Sequence, residues 1–353
     1  MTLRLRDAYR EIELYEPGRL PIEVDLSDNT NLFGVAPAVR ELLDKLDDAT
    51  ITRYPSVFSK SLKQALAERH GVEPDNIVTG CGSDDIIDSA FRAFCDPGDT
   101  VAYPSPTFGV VRTFALMNAA KPESVPMSAD FSFATEDLIA AHARVTYVCS
   151  PNNPTGSAVP GSQIAELDQK LSGVLLLDEA YSDYAEEDFG SFVATSRRTV
   201  SLRTFSKVLG LAGLRIGYAI GPAIVIHEIE KSRGPYKVGG VSEAAAIRVL
   251  RAGGEWVTEV VRRTKANRAR LAAVLAERSI QALPSHGNFL LICLPDGFTA
   301  HGTNAALRSH GVAVRPFGAL PHIGECIRVT IGPEAMMDRF VAAFAAVLGG
   351  EAA

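Results

Sequence analysis

The sequence has no C-x-x-C pair, and its five cysteines (Cys81, Cys95, Cys149, Cys293 and Cys326) are scattered and odd in number. Its seven histidines show no ligand spacing. Neither a zinc site nor a disulfide framework is therefore expected, and the thiols read as reduced and mostly buried, as in a cytoplasmic protein. The N-terminal MTLRLRDAYREIELYEPG is charged throughout and lacks the apolar centre of a signal peptide. No apolar run approaches the length needed to span a bilayer. Positive charge is not in excess either: 35 Lys and Arg stand against 42 Asp and Glu, a net charge of −7. That balance argues against nucleic acid or an anionic membrane as partner. Internal repeats and low-complexity tracts are absent. What is present, 353 residues with 46% hydrophobic and 22% charged, suits a soluble globular chain of two domains.

Between about residues 75 and 220, short apolar runs alternate with amphipathic stretches. NIVTG (76–80), DTVAYP (99–104), RVTYVCS (144–150), GVLLLDEAY (173–181), TVSLRTFS (199–206) and RIGYAIG (215–221) read as strands buried on both faces. DDIIDSAFRAFCD (84–96) and GSQIAELDQKL (161–171) read as helices. Strands separated by helices imply an α/β fold with a mostly parallel sheet covered on both faces. After it come one long amphipathic helix (254–278), three further strands (288–294, 311–317 and 326–332) and a terminal helix (333–348). The expected division is an N-terminal arm (1–30), a large domain (31–248) and a smaller α/β domain (249–353).

In such sheets ligands bind beyond the carboxyl ends of the strands. Three buried runs end in polar groups: PNNPTG follows YVCS, DEAY follows VLLL, and SK follows SLRTF. Asn153, Asp178, Tyr181, Ser206 and Lys207 are thereby candidates for one crevice. Lys207 stands in TFSKVLGLAGLRIGY, an otherwise small and apolar stretch. A lysine there either snorkels to water or serves as an amine that burial and the nearby cation Arg215 keep neutral and nucleophilic toward carbonyls. GCGSDD (80–85) is a glycine turn between strand and helix, which sets the amides of Ser83 and Asp84 where a phosphate is held. Its third glycine is missing for a dinucleotide fingerprint. Asp178 ends an apolar strand and needs a partner, for which a protonated ring nitrogen would serve. Phosphate cradle, carbonyl-accepting lysine and buried aspartate together describe pyridoxal 5′-phosphate (PLP).

On these motifs, from YEPG at Tyr15 to IRVTIG at Gly332, the chain resembles the fold type I PLP enzymes of the class I/II aminotransferases, and most of all the histidinol-phosphate aminotransferase family. The resemblance implies that Lys207 bonds to the cofactor aldehyde and that Asp178 holds the pyridine nitrogen protonated. It implies hydrogen bonds from Tyr181 and Asn153 to the ring hydroxyl, phosphate contacts from Ser83, Asp84, Ser206 and Arg215, and stacking by Phe108. Tyr54 would reach the cofactor phosphate of a neighbouring subunit, which implies a homodimer. Arg328 and Arg315 would bind the substrate anion, with Asn153 and Tyr15 beside them. A phosphomonoester carries roughly −1.5 to −2 charge near neutral pH, so a second arginine suits a phosphorylated substrate.

Three stretches depart from the family pattern: NTNL (29–32) stands for the usual NENP, DD (84–85) for DE, and Lys237 for a common asparagine. The first removes a carboxylate and a proline that shape the substrate entrance. The expected activity is transfer of an amino group between L-histidinol phosphate and 2-oxoglutarate, with small-molecule partners only. An aromatic amino acid aminotransferase, a PLP decarboxylase of a phosphorylated amino acid and a PLP-binding regulator without turnover are the alternatives. No metal is expected.

Overall fold

The computed structural model describes residues 6–14 and 21–349. Its strands, in chain order, are β1 (Val24–Asp25), β2 (Ile77–Gly80), β3 (Thr100–Ser105), β4 (Lys121–Pro126), β5 (Val145–Cys149), β6 (Val174–Asp178), β7 (Thr199–Thr204), β8 (Gly217–Ile220), β9 (Phe289–Cys293), β10 (Val312–Ala313), β11 (Arg315–Leu320) and β12 (Gly324–Thr330).

Seven of them form one sheet in the order β2-β8-β7-β6-β5-β3-β4. Only β8 runs against its neighbours β2 and β7; the remaining pairs are parallel. Every residue of β5, β6 and β7 is buried, because helices cover both faces. The helix Gly82–Phe94 shows how the cover is built: Ile86, Ile87, Ala90 and Phe91 recur on one stripe and pack against the sheet. Six of the seven strands end at the same edge, and β8 starts there. This one topological fact brings the distant motifs together.

A charged pair also lies at that edge. Arg203 on β7 sits 2.9 Å from Glu179, which follows β6, and 2.6 Å from Asp188. Buried ions need such pairing, and this one ties the ends of β6 and β7 together.

The C-terminal strands form a separate antiparallel sheet, β11-β12-β9, and β1 pairs with β10 in parallel. The helix Gly254–Glu277 spans the expected 254–278 within a residue, and Trp256 near its start packs into the same apolar cluster as Phe205 and Tyr181. Two details differ from the sequence reading. The expected strand 311–317 is two strands, since the chain leaves β1 after Ala313 and joins β12 from Arg315 onward. β4 was not foreseen: KPESVP has two prolines and mostly exposed positions, which an edge strand tolerates and periodicity does not reveal. Among the described residues, no helix is long and apolar enough to cross a membrane.

Candidate active site

At the common strand edge lies a cavity of about 910 Å³. Its walls include Ser83, Asp84, Phe108, Asn153, Asp178 and Tyr181, followed by Ser206, Lys207, Arg215, Arg315 and Arg328. The structure thus brings eleven of the thirteen expected site residues to one place. Tyr54 is not in this wall: it is 84% exposed and stacks on Tyr236 with ring centroids 4.9 Å apart. Tyr15 lies outside the described residues.

The phosphate end is set by β2 and the helix that follows it. Gly80 ends the strand, and the helix begins at Gly82, so the amides of Ser83 and Asp84 stand in the first turn where helices leave donors open. Gly82 has φ +81, and a Cβ there would come 2.7 Å from Nη2 of Arg215. Glycine is favoured here because L side chains rarely adopt that left-handed backbone. Arg215, itself left-handed at φ +51, donates to Oδ2 of Asp84 at 3.2 Å and to Oγ of Ser206 at 3.5 Å. The Asp84 carboxylate therefore serves the arginine, and its backbone amide is what an anion meets. The neighbouring DD pair and Lys237, the two unusual features near this turn, prove to be partners: Nζ of Lys237 lies 2.8 Å from Oδ1 of Asp85, whose Oδ2 accepts from the Cys81 amide at 3.0 Å.

Asp178 closes β6 in fully buried surroundings. Burial pushes its carboxyl up to about 6, against hydrogen bonds from the Tyr147 hydroxyl at 2.6 Å and the Ala180 amide at 3.0 Å, which favour the charged form. Sequence reasoning missed Tyr147. It is the middle residue of an apolar strand, and only the parallel pairing of β5 with β6 sets its ring toward Asp178.

Lys207 lies three residues past β7. Its Nζ donates to the carbonyl of Asp28 at 3.2 Å and sits 5.4 Å from the centre of the Tyr181 ring. Burial, with the Arg328 guanidinium second, lowers its amine to about 8, so roughly a tenth to a fifth is neutral near physiological pH, far more than for an ordinary lysine. The amine is thus the usable kind, not a snorkelling surface group. Because the folded value lies below the free value of 10.5, the folded protein carries the full burden of the charged amine below about pH 8. That burden fades as pH rises toward 10.5, where the unfolded chain also loses the proton. Lys207→Met is expected to stabilise the cofactor-free protein at pH 7 by about 1–3 kcal/mol, since water in the cavity screens part of the shift. Denaturant titrations at pH 7 and pH 10 check this; a gain that does not shrink at pH 10 contradicts the assignment.

At the far end, Arg328 on β12 is buried between the rings of Phe289 and Phe317, with centroids 5.6 and 5.7 Å from its guanidinium carbon. It donates to Oδ1 of Asn153 at 2.5 Å and to the carbonyl of Ser27 at 2.6 Å. Arg315 is its register partner on β11 and pairs with Asp28 at 2.8 Å. The hydroxyl of Tyr181 accepts from Nδ2 of Asn29 at 3.1 Å, and burial raises the phenol well above its ordinary value. The stretch Ser27–Asn29 is therefore part of the site, a role the sequence reading confined to the departure NTNL.

The chain matches the aminotransferase class I and II family over residues 21–344. It is 36% identical over 351 residues to a histidinol-phosphate aminotransferase of Erythrobacter litoralis, covering 93% of each chain. It is 32% identical over 339 residues to histidinol-phosphate aminotransferase 1 of Trichormus variabilis, covering 95% of this chain and 96% of that one. Among solved structures, the histidinol-phosphate aminotransferase of Sinorhizobium meliloti in complex with pyridoxal 5′-phosphate superposes with a TM-score of 0.89 at 28% identity, covering 99% of both chains. An aspartate aminotransferase variant of Thermus thermophilus shares the fold with a TM-score of 0.82 at 22% identity.

Proposed function

We propose that this chain, which belongs to the class I and II aminotransferase family, is a PLP-dependent transaminase that exchanges the amino group of L-histidinol phosphate with 2-oxoglutarate. The observation that carries the reading is the pair of arginines at one end of the cavity, Arg328 and Arg315, facing a lysine with a lowered amine value. Two guanidiniums suit a phosphomonoester, which bears close to two charges and three acceptor oxygens.

The residues fit PLP. Asp178 is a buried carboxylate that a cationic ring N–H would complement, and the left-handed Gly82 turn brings the guanidinium of Arg215 close to the first turn of the helix. Ser83, Asp84, Ser206 and Arg215 would hold the phosphate by two first-turn amides, a hydroxyl and a guanidinium. Phe108 would cover one face of the ring, while Asn153 and Tyr181 would approach its hydroxyl. When bound, PLP supplies an aldehyde for the substrate amine and a ring that draws off the electrons left at Cα. Nζ of Lys207 takes the Cα proton of the substrate as general base and returns a proton as general acid. Asp178, kept in place by Tyr147, holds a proton on the ring nitrogen side of the site. Arg328 orients the substrate anion from a base fixed by Ser27, Asn153 and two aromatic rings, so the anion meets a guanidinium that needs no reordering.

The same reading divides the chain into an arm (1–30), a large domain (31–248) and a small domain (249–353), and places it in the cytoplasm. It assigns Tyr54 to the cofactor phosphate of a second copy. Exposed apolar residues beside it, Ile51, Phe58 and Tyr236, are suited to a contact between copies. Sedimentation of the purified protein is expected to give a dimer, and Tyr54→Phe to weaken PLP retention; a monomer with full activity would refute the shared site.

The substrate is tested by single-turnover half-reactions of the PLP-loaded protein with L-histidinol phosphate, L-glutamate and L-phenylalanine. Fast reaction with the first two and slow reaction with the third supports the proposal. Fast reaction with phenylalanine instead keeps the fold and Lys207 but removes the phosphate role of Arg315, leaving the aromatic aminotransferase reading.

A further inference from the structure

The five cysteines are scattered in sequence, yet the fold sets two of them opposite each other. Cys293 closes β9, and its register partner across the antiparallel pair is Cys326 on β12. The hydrogen bonds show which kind of pair this is. One step beyond it, the Leu294 amide donates to the Glu325 carbonyl at 2.9 Å. Bonded and open pairs alternate along an antiparallel ladder, so Cys293 and Cys326 stand at an open position. The Cys293 amide accordingly turns the other way, to the Gln281 carbonyl at 2.9 Å. Open pairs hold their Cα atoms about 4.5 Å apart with the side chains close, and a disulfide accepts Cα separations of about 4.4–6.8 Å. The Cys326 thiol has two acceptors in reach, the Gly324 carbonyl at 3.4 Å and the Cys293 sulfur. Donation to Cys293 holds that thiol below its ordinary value and raises Cys326 far above its own. Cys326 is wholly buried, whereas Cys293 is 9% exposed at the end of its strand, so Cys293 is the thiol that an oxidant meets first.

The pair shares a face with the substrate end of the cavity. Alternate residues of a strand point the same way, which puts Cys326 and Arg328 on one side of β12. Phe317 opposes Cys326 from β11, and its ring centre stands 5.7 Å from the Arg328 guanidinium carbon. On this side the two cysteines pack with Leu175 and Leu177 of the large sheet.

We infer that Cys293 and Cys326 are a reversible redox pair, closed to a disulfide by a hydroperoxide, and that closure displaces Arg328 and slows the reaction. Bond formation needs nothing from the proposed substrate; the effect on turnover rests on the anion role given to Arg328 and deepens it. The Cys293 thiolate attacks one peroxide oxygen, the O–O bond breaks, and hydroxide leaves behind a sulfenic acid. The Cys326 sulfur then attacks that sulfur, loses its proton and expels the hydroxyl as water. Two thiols give up two electrons and two protons, and hydrogen peroxide becomes two waters. A small thiol of the glutathione class reverses the bond by exchange. Closure brings the Cβ atoms from about 4.5–5.5 Å to about 3.8 Å, so the strands draw together by about 1 Å beside Phe317 and Arg328.

The test treats the PLP-loaded protein with hydrogen peroxide, blocks free thiols with N-ethylmaleimide, maps the digested peptides by mass and measures donor kinetics on the same samples. The expected product is a linked pair of peptides carrying Cys293 and Cys326, separated again by dithiothreitol. For L-glutamate and L-histidinol phosphate, kcat/KM should fall roughly ten- to hundredfold in the bridged protein, the order of loss for an anchor misplaced by about 1 Å, and recover with dithiothreitol. Cys293→Ser, shown to fold by its thermal melt, should keep its turnover through the same treatment. Should that variant not fold, the wild-type map and its reversal decide alone. Unlinked thiols at both positions, or Cys293 carried to an acid that dithiothreitol does not reduce, overturn the pair. A bridge without loss of turnover, or an equal loss in Cys293→Ser, overturns the switch. The peptide map involves no substrate and so is separate from the proposed activity. If untreated protein does not turn over L-histidinol phosphate, that activity is overturned and the switch is read with L-glutamate; if neither donor reacts, the switch falls as well.

Discussion

Lys207→Ala is expected to abolish transamination while the protein remains folded and still retains PLP without a covalent bond. On the proposed function the lysine would perform the proton transfer at Cα, a contribution of roughly 10²–10⁴-fold, and would also be the amine that holds the cofactor between turnovers. A combined loss of at least about 10⁴-fold follows. The substitution removes a group that the folded chain holds charged at a cost below its value of about 8, so stability does not suffer. The remaining cradle (Ser83, Asp84, Ser206 and Arg215) keeps the phosphate. Two readings check this together: amino transfer in single turnover, and PLP retained after gel filtration but released by acid without reduction. Retained turnover would remove Lys207 from its role. Loss of PLP along with activity would mean that the phosphate cradle is weaker than its geometry indicates.

Asp178→Asn is expected to separate stability from activity. The carboxylate is buried, so its folded value of about 6 exceeds the free value of 3.8. Below about pH 3.8 both states are protonated and nothing is lost; as pH rises past 6 only the buried carboxylate suffers, and the folded state bears the full penalty. An amide carries no such penalty. The cofactor-free variant should therefore be more stable than the parent at pH 7, by up to about 3 kcal/mol, and no more stable near pH 3.5. The holoenzyme should lose about 10²–10³-fold in rate, since a neutral amide cannot hold the ring nitrogen protonated. Urea titrations of the cofactor-free protein at the two pH values, beside single-turnover rates, test both halves. A variant that is less stable at pH 7 yet fully active would refute the assignment.

The two substitutions bear on how the site is read from sequence. Asp178, Lys207 and Asn153 were legible because each stands at or a few residues beyond the end of an apolar strand, where a buried polar group needs a partner. The strand pattern itself was legible because buried parallel strands are continuously apolar and short. Tyr147 was not: an aromatic residue inside VTYVC satisfies core packing equally well, and its hydroxyl reaches Asp178 only through the register of β5 against β6. Lys237 and Asp85 read as two separate departures from a family pattern, yet they lie 2.8 Å apart. Sequence distance hides such compensation, since 152 residues separate them. The edge strand β4 was hidden for the reverse reason, its prolines and exposed positions being unlike a core strand.

The sequence alone determined that this is an α/β chain with a lysine, an aspartate and a glycine turn suited to PLP, because strand ends and glycine turns are local features that local chemistry makes costly to place elsewhere. The tertiary structure decided which carboxylates face which cations. Arg215 takes the side chain of Asp84 and leaves its amide for an anion, Asp85 takes Lys237, and Arg315 takes Asp28. Ion pairing depends on distance in space, and in a sheet whose strand order is β2-β8-β7-β6-β5-β3-β4 the nearest charge is seldom the nearest in sequence.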